Sequence, residues 1–361
     1  MILELHILQT YPTNRMNRGE DGAPKSMVFG GVPRVRISSQ AQKRAERTHP
    51  ALGFPVKAVR SKHIEQALHT LLEHEASDLS HPHIQEAVRT AVQEVFGAFD
   101  AKGRLKVSVV VGEDELERLR DLLAPGLPAV LAAVTAEERT EIIRTLVQPF
   151  RAGTVSPDVA LYGRLLIDAD HWDVDGAAYY SHAFSTHRSN QLSDFFSAID
   201  DVTGDTVHIG NTELTAPTLY RTAILDLNQL RTNLPLASDA ELLSVARTWA
   251  QRAVQSVPGG GRTGAFAATL PEYVLVVSRT GQPLSLAAAF ETPVRRQDDQ
   301  SIGMRSALEL EQHLQRLHEM YGHRELRAAG TVSIHSLPTE GPLAITRHPT
   351  LDLALTAALT P

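Results

Sequence analysis

The side chains best suited to chemistry in this sequence lie on one short helical segment. With about 100° of rotation per residue, four of them fall on a stripe about 100° wide. These four, the cationic face, are Gln40, Lys43, Arg44 and Arg47. Glu46 lies off this stripe, so we do not expect it to neutralise the face. Such a face is suited to phosphates of a nucleic-acid backbone rather than to base edges, and a merely solvated helix face is the alternative.

Further cations lie immediately before this helix. Arg34 and Arg36 alternate on a short predicted strand, and Arg18 and Lys25 belong to a polar, glycine-rich loop over 13–33. Residues 1–60 hold ten Lys and Arg against four Asp and Glu, a net charge of +6, although the chain carries −7 overall. The remainder therefore carries −13, and this asymmetry indicates a polyanionic partner for the basic segment.

A second candidate for phosphate binding is the glycine loop at 258–264. Its backbone amides at Gly259 and Gly260, together with Arg262, are suited to a close approach by phosphate. The loop is not a Walker A motif, because Lys and Ser/Thr are missing after Gly264. An ordinary flexible connection remains the alternative.

Carboxylate groups give no convincing catalytic set. The run Asp168–Asp175 holds four Asp in eight residues but fails the calcium-loop pattern, so a solvated acidic loop is favoured. No metal site and no cofactor are expected. The chain has no cysteine, which excludes disulfides and thiolate chemistry.

Aromatic residues make up only 5% of the chain, yet Phe195 and Phe196 are adjacent at the start of a hairpin-like stretch. Two roles are open for this pair. The rings anchor the stretch to the core, or they stack on or wedge against bases.

The elements that must position these residues follow from periodicity. The chain has 361 residues, long enough for one large domain or two to three lobes. Residues 2–8 alternate as a strand, and Ser38 or Ser39 caps a helix that begins near Gln40. Residues 60–150 are mostly helical, and separate strands are predicted near 220–227, 273–278 and 331–336. Separated strands with helices between them predict an α+β fold. Without a membrane span or a basic leader, we expect a cytoplasmic protein.

Several motifs in the first 47 residues resemble the CasC family, the backbone subunit of the type I-E CRISPR Cascade complex. They are Leu5–Pro12, Met16–Arg18, Pro24-Lys25, Val28–Gly31, Arg34–Gln40 and Lys43-Arg44. Later segments agree in order: Asp158–Arg164, Ala183–His187, Asp194–Phe196, Ile209-Gly210, Val257–Gly259 and Leu286–Glu291.

This resemblance implies an RRM-like (ferredoxin-like) palm, a helical fingers lobe and a β-hairpin thumb. Copies stack along a CRISPR guide RNA, and each thumb kinks the RNA bound by its neighbour. The implied boundaries are palm 1–58, fingers 59–180, palm 181–192, thumb 193–221 and palm 222–361. Guide-backbone contacts carry over to Arg18, Lys25, Gln40, Lys43, Arg44 and Arg47, the last standing where the best-known relative has Lys.

The resemblance also extends the predicted interface to the middle of the chain. Leu165, beside Arg164, stands where the best-known relative has Met next to the RNA, and Phe195 and Phe196 correspond to the aromatic pair of the thumb. The full set of predicted RNA-binding residues is Arg18, Lys25, Arg34, Arg36, Gln40, Lys43, Arg44, Arg47, Arg164, Leu165, Phe195, Phe196, Gly259, Gly260 and Arg262.

The implied function is structural and not enzymatic. The protein polymerises along the guide RNA and leaves bases free to pair with target DNA in antiviral defence. Expected partners are the guide, other copies of the chain, the target strand through the guide, and the large, small, guide-end-capping and guide-processing Cascade subunits; no membrane is involved. The competing hypothesis is a metal-dependent ribonuclease that uses Glu20, Asp21 or the Asp168–Asp175 loop.

Overall fold

The computed structural model describes residues 1–54, 57–73, 80–166, 172–204, 206–297, 299–322, 325–338 and 343–360. The chain forms two compact units. The first unit comprises Met1–Leu52, Tyr179–Asp226 and Ala246–Pro361, and the second comprises Gly53–Ala178 and Leu227–Val245.

Thirteen strands are described in chain order. They are β1 (Ile2–Thr10), β2 (Ser26–Phe29), β3 (Val32–Ile37), β4 (Ala58–Ser61), β5 (Val109–Gly112), β6 (Ala178–Tyr180), β7 (Ala183–Ser185), β8 (Leu192–Ile199), β9 (Thr206–Leu214), β10 (Thr218–Asp226), β11 (Tyr273–Arg279), β12 (Leu326–Ser333) and β13 (Thr346–Arg347).

Eleven α-helices are described along with these strands. They are α1 (Ser39–Arg47), α2 (Ile64–Leu72), α3 (Pro82–Phe96), α4 (Glu113–Leu123), α5 (Leu127–Ala132), α6 (Ala136–Val147), α7 (Pro157–Tyr162), α8 (Leu227–Asn233), α9 (Asp239–Gln255), α10 (Ile302–Tyr321) and α11 (Leu351–Leu359). The mixture of helices with a mainly antiparallel sheet confirms the predicted α+β class. No described helix has the length and apolar character needed to cross a membrane.

The first unit is built on a nine-stranded sheet in the order β13-β12-β11-β1-β10-β7-β3-β2, with β6 paired to β10. Neighbours along this order are antiparallel except β12 and β13. The alternation in β1 predicts one buried face, but eight of its nine residues are buried. The polar side chains tolerate burial because they are paired: the Glu4 carboxylate lies 2.8 Å from Nε of Arg279, and His6 Nδ1 lies 2.9 Å from the hydroxyl of Tyr220.

The predicted long loop over 13–33 contains a strand that periodicity did not reveal. β2 and β3 form a hairpin whose turn, Gly30-Gly31, has φ of 58° and 72°. Two consecutive positive φ values are typical of a tight hairpin turn and favour glycine. A Cβ on Gly30 would also lie 1.7 Å from the carbonyl oxygen of Glu291, so this turn packs against the backbone after residue 290.

The second unit is mainly helical and has its own hydrophobic core. Helices α2 to α6 bury apolar side chains at intervals of three and four, such as Leu68, Val88, Leu119 and Ile143. This confirms the helices predicted between 60 and 150. β4 and β5 form a small two-stranded sheet within the same unit.

Two domain boundaries differ from the sequence prediction. The second unit takes in Leu227–Val245 as well as Gly53–Ala178, and within it Asn233 in α8 donates to the carbonyl oxygens of Ala160 and Asp175. The hairpin predicted over 193–221 comprises β8 and β9 and ends at Leu214. Residues from Thr218 onward belong to the central sheet, where they pair with β1.

Candidate nucleic-acid interface

Helix α1 carries the cationic face and is fixed at its N-terminus. Ser38 is the cap, since its hydroxyl accepts from Ala41 N at 3.3 Å. Asn17 Oδ1 accepts from Ser38 N at 2.8 Å, and Gln42 Nε2 donates to the Ser181 carbonyl at 3.0 Å. These bonds tie the helix to the loop before β2 and to the segment before β7.

A buried polar chain supports the inner side of α1. Trp249 Nε1 donates to the hydroxyl of Tyr180 at 2.6 Å, and that hydroxyl donates to the carboxylate of Glu46, which is almost fully buried. The Lys43 ammonium lies 5.3 Å from the centre of the Tyr180 ring, within cation–π range. The same chain therefore fixes the helix and one of its cations.

The cationic face is directed outward. Gln40 and Arg44 are exposed, and Lys43 and Arg47 are half-buried. Burial lowers the pKa of Lys43, and the negative charge of Glu46 partly offsets this effect. Glu46 thus lies off the cationic face, as expected, but its negative charge still raises the pKa of Lys43.

A cleft of about 810 Å³ brings together two sets of residues that are predicted from separate sequence motifs. Arg44 from α1 and Gly259, Gly260 and Arg262 from the glycine loop line the same cleft. These residues are more than 210 positions apart in the sequence. The cleft therefore combines two guanidinium groups with a glycine-rich backbone, a combination suited to a phosphate group.

The glycines in this loop also have a packing reason. A Cβ on Gly260 would lie 2.3 Å from the carbonyl oxygen of Met16, and Gly261 has a φ of 70°. The loop therefore approaches the backbone before β2 more closely than any other residue type allows.

Lys25 and Arg36 belong to a second cationic group in the same unit. The Arg36 guanidinium lies 2.7 Å from Nδ1 of His182, which is an exposed residue. Burial, then the charges of Arg36 and Lys25, lower the pKa of His182. Arg18 is exposed on the loop, where its backbone forms an isolated antiparallel β-bridge with Pro24. No sequence pattern indicates His182 or Tyr180, because both lie in the aromatic stretch before β7, which carries no periodic signal.

Arg34 was predicted to bind RNA, and this prediction is wrong. Its side chain is fully buried. Nε donates to the Phe29 carbonyl at 3.2 Å, Nη1 to Ser185 and Thr186 at 2.9 and 2.7 Å, and Nη2 to Phe290 and Glu291 at 2.8 and 3.3 Å. All five N–H donors of the guanidinium are therefore used by the fold itself.

Arg164 was also predicted to bind RNA, and it too is a core residue. Its guanidinium is buried in the second unit, where it lies 2.8 Å from the buried carboxylate of Glu115 and donates to the carbonyl of Trp172. The next residue, Leu165, is 75% exposed. Of these two neighbours, only Leu165 presents its side chain to solvent.

The β8–β9 hairpin carries the aromatic pair away from the core. Every residue of β8 is exposed, with Phe195 at 68% and Phe196 at 41%. The interpretation of the pair as a core anchor is therefore wrong. Adjacent strand residues point to opposite faces, so the two rings lie on opposite sides of the hairpin and have different neighbours. Phe196 covers Gly210 across the hairpin, where a Cβ would lie 2.4 Å from its ring, and packs near His208, whereas Phe195 faces Asn211.

The root of this hairpin is held by backbone bonds and one histidine. Asn14 and Thr215 exchange two backbone hydrogen bonds of 2.8 and 3.0 Å. His187 Nδ1–H donates to the carbonyl of Arg188 at 2.8 Å, and Nε2 accepts from Thr218 N at 3.1 Å. Burial lowers the pKa of His187. No sequence pattern indicates this role, because the bonded residues are about 30 positions apart.

The carboxylates considered for metal chemistry have other contacts. Asp21 Oδ1 accepts from Ala23 N, and Asp173 Oδ1 accepts from Leu166 N at 2.7 Å. Residues 168–171 of the predicted acidic loop lie outside the described residues. Within the described ranges, no group of three or more His, Asp or Glu side chains is arranged to hold a metal ion.

Comparisons with known proteins identify the family. The model of the CT1975-like protein family matches residues 3–352. A solved chain from a "CRISPR RNA-guided surveillance complex, pre-nicking" is 25% identical, with 99% of each chain covered and a TM-score of 0.83. A chain from another "CRISPR RNA-guided surveillance complex" has the same fold at 22% identity, with 99% of each chain covered and a TM-score of 0.74. No curated protein matches the chain. The chain belongs to the CT1975-like protein family, and its identification from the sequence as a CasC-type Cascade backbone subunit is confirmed.

Proposed function

We propose that this protein is a structural subunit that polymerises along a CRISPR guide RNA and presents guide bases for pairing with target DNA. The observation that carries the proposal is the cleft in the first unit, where Arg44 meets the glycine loop and Arg262. Guanidinium groups and backbone N–H groups are common donors to phosphate oxygens, so the cleft suits recognition of backbone and shape, with sequence read by base pairing.

In this proposal the first unit supplies an RRM-like palm, the second unit the fingers and the β8–β9 hairpin the thumb of a type I-E complex in the cytoplasm. The hairpin exposes Phe195 on one side, which is suited to stacking on or wedging beside a base of an RNA bound by a second copy. Partners are the guide, further copies, the other Cascade subunits and, through the guide, the target strand. The role requires no catalysis.

The first test is to purify the chain with and without co-expressed guide RNA and to record the mass and the 260/280 nm absorbance ratio. A large, nuclease-resistant species loaded with RNA is expected. A clean monomer that stays free of RNA even with the other subunits present would overturn the proposal. Magnesium-dependent cleavage of guide or target RNA would favour the ribonuclease hypothesis instead.

The second test concerns the cleft itself. Replacing Arg44 and Arg262 together by Ala removes two phosphate contacts, so the dependence of log affinity on log salt should flatten by about 1.4 units for single-stranded RNA. The matched control is Arg316→Ala with Arg327→Ala, two exposed arginines of the same unit that do not line the cleft. Equal slopes in both double variants would contradict the assigned cleft.

A further inference from the structure

One wall of the cleft is the turn that follows α1, and this turn fixes the tautomer of its histidine. Ala51 N and Leu52 N donate to Nδ1 of His49 at 3.2 and 3.0 Å. A ring nitrogen that accepts two N–H donors carries no proton. In the neutral ring the proton is therefore on Nε2, which is a hydrogen-bond donor in a fixed position.

The surroundings favour the neutral form of this ring. Burial and the positive charge of Arg252 both lower the pKa of His49. Arg252 is itself held beside the turn, since its Nε donates to the Leu52 carbonyl at 2.5 Å. Arg44 adds a further positive charge on the cleft wall. A proton on Nδ1 would also point at the two backbone N–H groups, so the geometry opposes protonation as well.

His49 lines the same cleft as Arg44, Arg262 and Gly259. Among the described residues, Nε2 has no hydrogen-bond partner, while both donors to Nδ1 come from the turn. We infer that His49 is an RNA-binding residue whose Nε2–H donates to an oxygen of the RNA backbone in this cleft, either a phosphate oxygen or a ribose 2′-hydroxyl. This inference rests on the proposed function. It adds a neutral hydrogen-bond donor to a cleft whose other proposed contacts are arginine side chains and backbone amides.

A neutral donor contributes differently from the arginines beside it. Each cation that contacts a phosphate releases counterions and so steepens the salt dependence of binding. A neutral N–H makes a hydrogen bond without displacing counterions. Loss of His49 Nε2–H should therefore weaken RNA binding while the salt dependence stays as it is, which separates its effect from that of Arg44.

The test uses His49→Asn in the full chain. An Asn side chain has an oxygen that can accept from the backbone two and three positions on, as in Asx turns, but it has no group at the position of Nε2. Hydrogen-exchange protection of the Ala51 and Leu52 amides checks that the turn is kept. We expect a Kd for guide RNA about 3- to 10-fold higher, as for loss of one hydrogen bond, with an unchanged salt slope. Arg44→Ala is the comparison and should lower the slope by about 0.7.

Repeating the titration with the all-2′-deoxy form of the same guide identifies the acceptor. A loss in His49→Asn that occurs with RNA but not with the deoxy guide assigns the 2′-hydroxyl, and an equal loss with both assigns a phosphate oxygen. Wild-type affinity in a His49→Asn variant that keeps the turn would overturn the inference. Absence of salt-dependent RNA binding by the wild-type chain would instead reject the proposed function.

Discussion

Helix α1 and the β8–β9 hairpin are both expected to contact RNA, yet the fold holds them in opposite ways. α1 has a serine cap, a bond to Ser181 and a buried Trp249–Tyr180–Glu46 chain beneath it. The hairpin has no buried residue along β8, and its described contacts with the rest of the unit include the Asn14–Thr215 backbone bonds at its root and a bond from Arg15 to Thr212. The chain therefore holds the helix through its own buried contacts, whereas it leaves the side chains of β8 exposed.

The largest expected effect comes from removing the anchor of α1. Glu46→Ala deletes the acceptor of the Tyr180 hydroxyl in a buried place, so the free energy of unfolding should fall by about 2–4 kcal/mol. Urea unfolding followed by circular dichroism measures it. Glu46→Gln keeps an acceptor and should lose clearly less. If Glu46→Ala unfolds like the wild type, α1 is no better anchored than the hairpin.

Alanine substitutions of the two phenylalanines of the hairpin should distinguish a role in stacking on RNA from a role in packing within the hairpin. Phe195→Ala removes an exposed ring, so RNA binding in the assembled complex should weaken by about 5- to 100-fold with an unchanged salt slope, as for loss of one stacked base. Phe196→Ala uncovers Gly210, and we expect faster amide exchange across β8 and β9. Global stability should stay within about 0.5 kcal/mol of wild type in both.

The reverse pattern would contradict this division of roles. An RNA defect confined to Phe196→Ala, with exchange in the hairpin unaltered, would assign the stacking role to the ring over Gly210. A fall of several kcal/mol in global stability in either variant would show that the hairpin belongs to the core.

The smallest effect is a pH dependence at the hairpin root. The pKa of His187 is lowered in the folded chain, so the unfolded or open form binds the proton more readily. Stability from this histidine is complete above the usual pKa of about 6.5 and is lost as the pH falls from there through the folded-state pKa. The protection of the Thr218 amide, measured against its intrinsic exchange rate at each pH, should fall over that range. His187→Gln, which does not titrate, should abolish this pH-dependent loss of protection, and a loss that persists in it would have another cause.

Sequence patterns predicted local features well because these depend on neighbouring residues. A serine cap at Ser38 or Ser39, the stripe on α1 and the helices α2, α3, α4 and α6 all follow from spacing over a few positions, and the structure selects Ser38 as the cap. Arg34 and Arg36 show where this fails. They occupy equivalent positions on one strand. Only Arg34 is enclosed, because carbonyl groups from two distant segments, at 185–186 and 290–291, accept hydrogen bonds from its guanidinium. The cleft was likewise unpredictable as a unit, although both of its parts were found.

The point at which the hairpin enters the sheet has an engineering consequence. β7 and β10 are antiparallel neighbours, with Phe184 opposite Tyr220 and Ser185 opposite Leu219, and the whole hairpin is an insertion between them. The register of β7 and β10 is set by residues outside the hairpin, so it does not depend on the length of β8 and β9. Hairpins of other lengths, or versions shortened by matched pairs of residues, can therefore be grafted at this junction without redesigning the sheet.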